Sequence, residues 1–223
     1  LRGQSKEHKT MMINVSVYKN VQHSVRLLAH QFVMDIKEAI SVNFKMEKDA
    51  LDNYIIKRIY KLWKQEFSDL DWDQLLKELN NAIEPLTVIE VNTSPYGDSL
   101  SYDEHEWPNG RTVIAIGGYS LSRGLTLEGL TTSYLLRNTK MYDTLMQMGR
   151  WFGYRRGYED ICRIYMPQDS IEWYEFITEA TEELRDEFAK MRRAGMSPEN
   201  FGLSVRAHPA SLLITAKNKM RSS

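Results

Sequence analysis

Apolar positions along the chain follow two rhythms. Five short runs are almost unbroken and rich in β-branched residues: Met11 to Val17, Leu86 to Val91, Thr112 to Ile116, Thr132 to Leu136 and Ile161 to Met166. Such runs predict strands. Between the first two, Val21, Val25, Leu28, Phe32, Ile36 and Ile40 recur every three or four residues, the stripe of an amphipathic helix lying on a sheet. A helical stretch is expected from about Glu47 to Leu79, anchored by Trp63, Phe67 and Trp72, another near Tyr142 to Met148, and a long one from Ser170 to Arg193. The last has only a weak capping signal in Ser170-x-x-Trp173. Asn92 to Gly110 holds Pro95, Gly97, Pro108 and Gly110 among polar residues and reads as a long loop. The strands are continuous rather than alternating, so both their faces are buried. Together with the interleaved helices, this predicts an α/β fold with a mostly parallel sheet.

Composition narrows the class. The 223 residues suit one large domain or slightly more. With 42% hydrophobic and 26% charged residues, the chain is an ordinary globular sequence rather than a disordered or collagenous one. A single cysteine, Cys162, excludes a disulfide framework and a zinc site built on paired cysteines. No apolar run approaches the length of a membrane span, and the N-terminus lacks a signal-peptide layout, so the expected setting is cytoplasmic, without a membrane partner. The chain begins at Leu1, which is expected of a piece of something longer.

The net charge of -1 hides a strong unevenness. Glu66 to Glu106 carries 11 acids and one Lys, whereas Ala189 to Ser223 has seven bases against Glu199. Arg137 to Arg163 has six bases and three acids. The acidic stretch reads as solvated surface. The basic ones coincide with glycines and aromatics, which makes an anionic ligand worth weighing.

Ligands of open parallel sheets sit beyond the carboxyl ends of the strands. Three segments fall at that edge: Ser16 to Asn20, Gly117 to Thr126, and Gln147 to Tyr158. The second offers glycines, hydroxyls and Arg123, a combination that can hold phosphate oxygens. It contains neither a Walker A loop nor a G-x-G-x-x-G fingerprint. Taken alone, a structural turn with a surface Arg accounts for it better. The third sets Arg150, Arg155 and Arg156 among Trp151, Phe152, Tyr154 and Tyr158. Guanidiniums gathered in this way need an anion, paired carboxylates or stacking partners.

Taken in order, Ser16 to Gln22, Leu121-Ser122-Arg123-Gly124-Leu125-Thr126 and Gln147-x-Gly149-Arg150 resemble motifs IV, V and VI of the second RecA-like lobe of superfamily 2 helicases. The closer similarity is to the Z-one domain family, a helicase-related group of bacterial restriction and defence systems, some of whose members are labelled endonucleases. Ile116 to Leu130, Tyr142 to Arg155 and the tail from Phe201-Gly202 through Arg206-x-His208-Pro209 to Met220 carry that similarity. Two departures stand out. Motif VI usually reads Q-x-x-G-R-x-x-R, but Gln147 is two residues before Gly149 and Arg155 is five after Arg150. Motif V commonly has Asp where Thr126 stands.

The resemblance implies a RecA-like lobe over residues 1–167 with a helical insertion at about 45–80, and a helical, basic extension over 168–223. It implies the C-terminal motor lobe of a DNA-dependent ATPase, with ATP and Mg²⁺ bound against a separate N-terminal lobe. Arg150 and Arg155, with Gln147, would be catalytic, neutralising charge on the transferred phosphoryl group, an effect that can reach 10³–10⁵ in rate. Arg123, Gly124, Thr126 and Gly149 would bind nucleotide. Ser16, Lys19, Asn20, Gly118, Ser120 and Ser122 would bind the DNA backbone, and other restriction or defence subunits would be further partners. The alternative is a non-hydrolytic nucleic-acid-binding or scaffolding module, or an endonuclease-associated domain.

The residues themselves suggest no nuclease. A metal-dependent nuclease needs converging carboxylates, yet Asp35-x-Lys37 has no second acid set after a strand. His8, His23, His30, His105 and His208 fall into no ligand spacing, so no metal site is expected.

Overall fold

The computed structural model describes residues 1, 3–92, 99–122, 125–136, 145–146 and 157–197. Five strands, β1 (Lys9–Asn14), β2 (Thr87–Val91), β3 (Thr112–Gly117), β4 (Leu130–Leu135) and β5 (Arg163–Tyr165), form one sheet in the order β2-β3-β1-β4-β5. Every neighbouring pair is parallel. All five expected strands are present, with shifted ends. β1 stops at Asn14, short of Val17, and β5 is trimmed because Glu159–Ile161 winds into a 3₁₀ turn. The fold is α/β, a parallel sheet flanked by helices, consistent with a RecA-like arrangement.

The pleat sorts side chains to two cores. Met12, Ala115 and Ile89 lie side by side across β1, β3 and β2, and join Leu121, Leu127, Leu130 and Leu135 on one face. Met11, Ile114 and Val88, one residue earlier in each strand, turn to the other face. There Val25, Ala29 and Val33 of helix α1 (Lys19–Asn43) cover them. The expected stripe is thus displaced by one residue in the middle of the helix: Ala29 and Val33 face the sheet, and Leu28 and Phe32 are exposed. Burial on both faces explains why β1, β2 and β3 do not alternate; β5, at the sheet edge, instead leaves Ile164 and Tyr165 exposed.

The expected helix from 47 to 79 is three pieces, not one. A 3₁₀ turn over Glu47–Asp52 precedes α2 (Tyr54–Glu66) and α3 (Trp72–Ile83). The breaks are made by caps. Asn53 accepts from the N–H groups of Ile55 and Ile56 at 2.9 and 3.2 Å, and Asp71 from that of Gln74 at 2.8 Å, each satisfying donors that a helix start leaves orphaned. The bulky anchors still meet: Trp63 and Trp72 both lie against Tyr60, and Trp63 Nε1 donates to the Leu70 carbonyl across the turn. Ile56 and Leu76 complete a third core with Ile40 and Ala50.

After β3 comes a single helical turn, α4 (Tyr119–Ser122). Of the helix expected near Tyr142 to Met148, only Leu145 and Met146 fall within the described residues, and both are helical. The last helix, α5 (Gln168–Arg193), starts two residues before Ser170, on Pro167, without a side-chain cap. Its first half packs through Ile177 on Leu145 and through Tyr174 on the sheet core. Tyr174 donates its hydroxyl to the Leu145 carbonyl at 2.7 Å, and burial pushes its phenol up to about 12.

Candidate functional site

Strand order determines where a crevice opens. From β1 the chain moves to β2 through α1, whereas from β3 it moves the opposite way, across β1, to β4. Right-handed crossovers in opposite directions lie on opposite faces of a sheet. The connections after β1 and β3 therefore part company, and the space beyond their carboxyl ends is where such sheets receive ligands.

Two expected segments meet at this point. The Val15 N–H donates to the Gly117 carbonyl at 3.2 Å, continuing the β1–β3 ladder past Asn14. The chain then leaves through Ser16, whose Oγ accepts from the Tyr18 N–H at 3.2 Å. Gln22, on the first turn of α1 and only 3% exposed, donates from Nε2 to the Ser16 carbonyl at 2.7 Å. Gly118 fits beneath this clasp: a Cβ there would stand 2.3 Å from the Ser16 carbonyl oxygen and 2.8 Å from Gln22 Nε2. No side chain can occupy that position without moving backbone. The glycine expected to approach a ligand thus approaches the turn after β1.

The candidate nucleic-acid residues share this edge. Ser16 and Ser120 are half-buried, whereas Lys19 and Asn20 are exposed on the first turn of α1. Asn20 is not the N-cap; Tyr18 is, in extended conformation and without a side-chain cap. The first turn of α1 contains no acid, so Lys19 and the helix dipole add positive potential there. The opposing charge is Glu90 near the end of β2, held 3.2 Å from His23 Nδ1 and 2.6 Å from Asn92 Nδ2. Asn14, fully buried, ends β1 below.

The residues expected to act on a nucleotide lie mostly outside the described residues. Arg123, Gly124, Gln147, Gly149, Arg150 and Arg155 lie outside the described residues, as does the side chain of Ser122. Thr126 is described and exposed, between the inward-facing Leu125 and Leu127. Sequence reasoning passed over Gln22, which lay inside the motif IV resemblance but was not singled out. Its Oε1 is buried and accepts no hydrogen bond among the described residues.

The residues weighed for a nuclease or metal site make structural or local surface contacts. Lys37 donates to the carbonyls of Glu84 and Leu86 at 2.7 and 2.9 Å, and Asp35 accepts from Gln31. His8 Nδ1 accepts from the Arg111 N–H, and His105 pairs with Asp103. Among the described residues no three His, Cys, Asp or Glu side chains gather closely enough to hold a metal ion. No described helix is long and apolar enough to cross a membrane.

No curated protein and no solved structure matches the chain significantly. The family model of the Z1 domain matches residues 1–213. That match spans nearly the whole sequence, and the chain belongs to the Z1 domain family.

Proposed function

We propose that the chain is the second lobe of a helicase-like, DNA-dependent ATPase. Its crevice between β1 and β3 takes the phosphate backbone of DNA. Its arginines act on ATP and Mg²⁺ bound against a separate nucleotide-binding lobe. The observation that carries this reading is the Gln22–Ser16–Gly118 clasp, which ties the turn after β1 to the turn after β3 at the divergence of the crossovers. A phosphate chain suits such an edge: hydroxyls from Ser16 and Ser120, the ammonium of Lys19 and the start of α1 are groups that grip phosphate without reading bases.

Arg150 and Arg155 take the transition-state role in this reading, and Gln147 is the third catalytic residue. Arg123, Gly124, Thr126 and Gly149 contact the nucleotide. Catalysis of phosphoryl transfer is largely positioning and charge neutralisation, which guanidiniums supply from outside the phosphate cradle. The cradle's Lys and the Mg²⁺ ligands come from the other lobe, since this sequence has no G-x-x-x-x-G-K-[ST]. Residues 1–223 alone therefore hydrolyse no ATP. The test is ATP turnover by the chain joined to a lobe bearing that loop, with and without DNA. DNA-stimulated turnover is expected. DNA binding with no turnover would favour a non-hydrolytic module instead.

A further inference from the structure

Between the sheet edge and α5 lies an open groove of about 810 Å³, apart from the crevice and independent of the proposed ATPase. Ile164, Met166 and Tyr174 form its floor, and Glu175, Glu179 and Glu182 stand along one side. Ile164 is 37% exposed on a strand that has no neighbour on its outer side among the described residues. An apolar floor beside an acidic wall selects its occupant by charge as well as by shape. The wall belongs to a wider field: from Glu172 to Glu187 the sequence has seven acids and one base, Arg185. Arg185 is already engaged with Glu182.

The complementary chemistry is in the same chain. Residues 198–223 contain Arg206, Lys217, Lys219 and Arg221 against the single acid Glu199, and Leu212-Leu213-Ile214 lies between the cations. We infer that this C-terminal segment docks in the groove, its apolar triplet on Ile164, Met166 and Tyr174 and its cations along the α5 carboxylates. The reach is short. The stretch of α5 from Thr178 to Arg193 spans about 22 Å at the helical rise, which roughly seven extended residues retrace. The triplet starts 14 residues after Pro198, so the segment has length to spare. Docking inside one chain is favoured because the groove meets its ligand at high effective concentration.

The experiment uses the full chain. The lone Cys162 is replaced by Ser, and Ser211→Cys carries a nitroxide label. The expected result is loss of amide signal at residues 164–166 and 171–182, unchanged on dilution. Glu175→Lys, Glu179→Lys and Glu182→Lys together should abolish the loss; these residues are exposed, so the variant should fold. Adding Arg206→Glu, Lys217→Glu and Lys219→Glu to that variant should bring the loss back. Signal retained at those amides in the parent chain overturns the inference. So does signal loss that arises only when labelled and unlabelled chains are mixed, because the occupant would then be a second copy.

Discussion

Gln22 and Gly118 interlock: the amide nitrogen that Gln22 gives to the Ser16 carbonyl lies 2.8 Å from the point a Cβ on Gly118 would occupy. One residue begins a helix on one face of the sheet and the other follows the strand that feeds the opposite face. Their contact holds the turn after β1 against the turn after β3, so small changes there should act on binding as well as on stability.

Gly118→Ala is the direct probe. Its methyl group would meet the Ser16 carbonyl oxygen at 2.3 Å, and overpacking of this kind costs about 1–3 kcal/mol. Thermal unfolding should show the loss. DNA affinity should fall in the same variant, while Gly3→Ala, at a glycine with open space around it but a φ of +77° that strains alanine, loses stability without losing affinity.

Lys19→Ala should weaken DNA binding for every sequence tested. If Lys19 contacts phosphate, the slope of log affinity against log salt should fall by about one. A fluorescence-anisotropy salt titration measures it. An unchanged slope would remove Lys19 from the interface.

Tyr174 gives a pH prediction. Its phenol titrates at about 12 in the fold, against about 10 in an unfolded chain. The unfolded state ionises first, so the stability contributed by the buried neutral phenol is complete below about pH 10 and is lost between there and about pH 12. Chemical denaturation across that range should show falling stability, with a smaller fall in Tyr174→Phe. Tyr102, also raised by burial, shifts stability in the same direction.

Arg111 is a buried cation without a carboxylate partner among the described residues. It donates to the Ser101 carbonyl at 2.7 Å and stacks over Trp107 at 4.7 Å. Arg111→Ala should destabilise by about 2–3 kcal/mol through lost stacking and an orphaned carbonyl. Hydrogen exchange should speed up at residues 99–110 before the sheet opens.

The strands were legible because a parallel sheet buries both faces and leaves unbroken apolar runs. The long helix α1 was legible, but half of its expected stripe is misplaced: Val21, Leu28 and Phe32 are exposed, and the sheet is covered by Val25, Ala29 and Val33. The split between α2 and α3 was hidden: Trp63, Phe67 and Trp72 continue an apolar pattern straight through the turn, and the caps Asn53 and Asp71 are single polar residues inside it. Strand order has no local signal, since the placement of β1 between β3 and β4 comes from crossovers of long sequence separation. Gln22 was missed because the apolar Val21 beside it reads as the inward position, whereas Gln22 is the buried one. Of the site, the turn after β1 and Gly118 could be followed into the structure. Gln147, Arg150 and Arg155 lie outside the described residues, so their roles rest on chemistry and resemblance.

Steady-state ATP hydrolysis, measured with DNA on the chain joined to its nucleotide-binding lobe, tests the central claim most directly. The variants are Arg150→Ala, Arg155→Ala and Arg156→Ala, each first checked for folding. An arginine that meets charge only as it develops on the phosphoryl group stabilises the transition state alone. Arg150→Ala and Arg155→Ala should therefore lower kcat by about 10³-fold or more with little change in KM. Lys should rescue poorly, lacking the planar fork, and Arg156→Ala should stay near the parent rate. Near-normal kcat in both Arg150→Ala and Arg155→Ala would contradict the account and leave a DNA-binding module without a motor's chemistry.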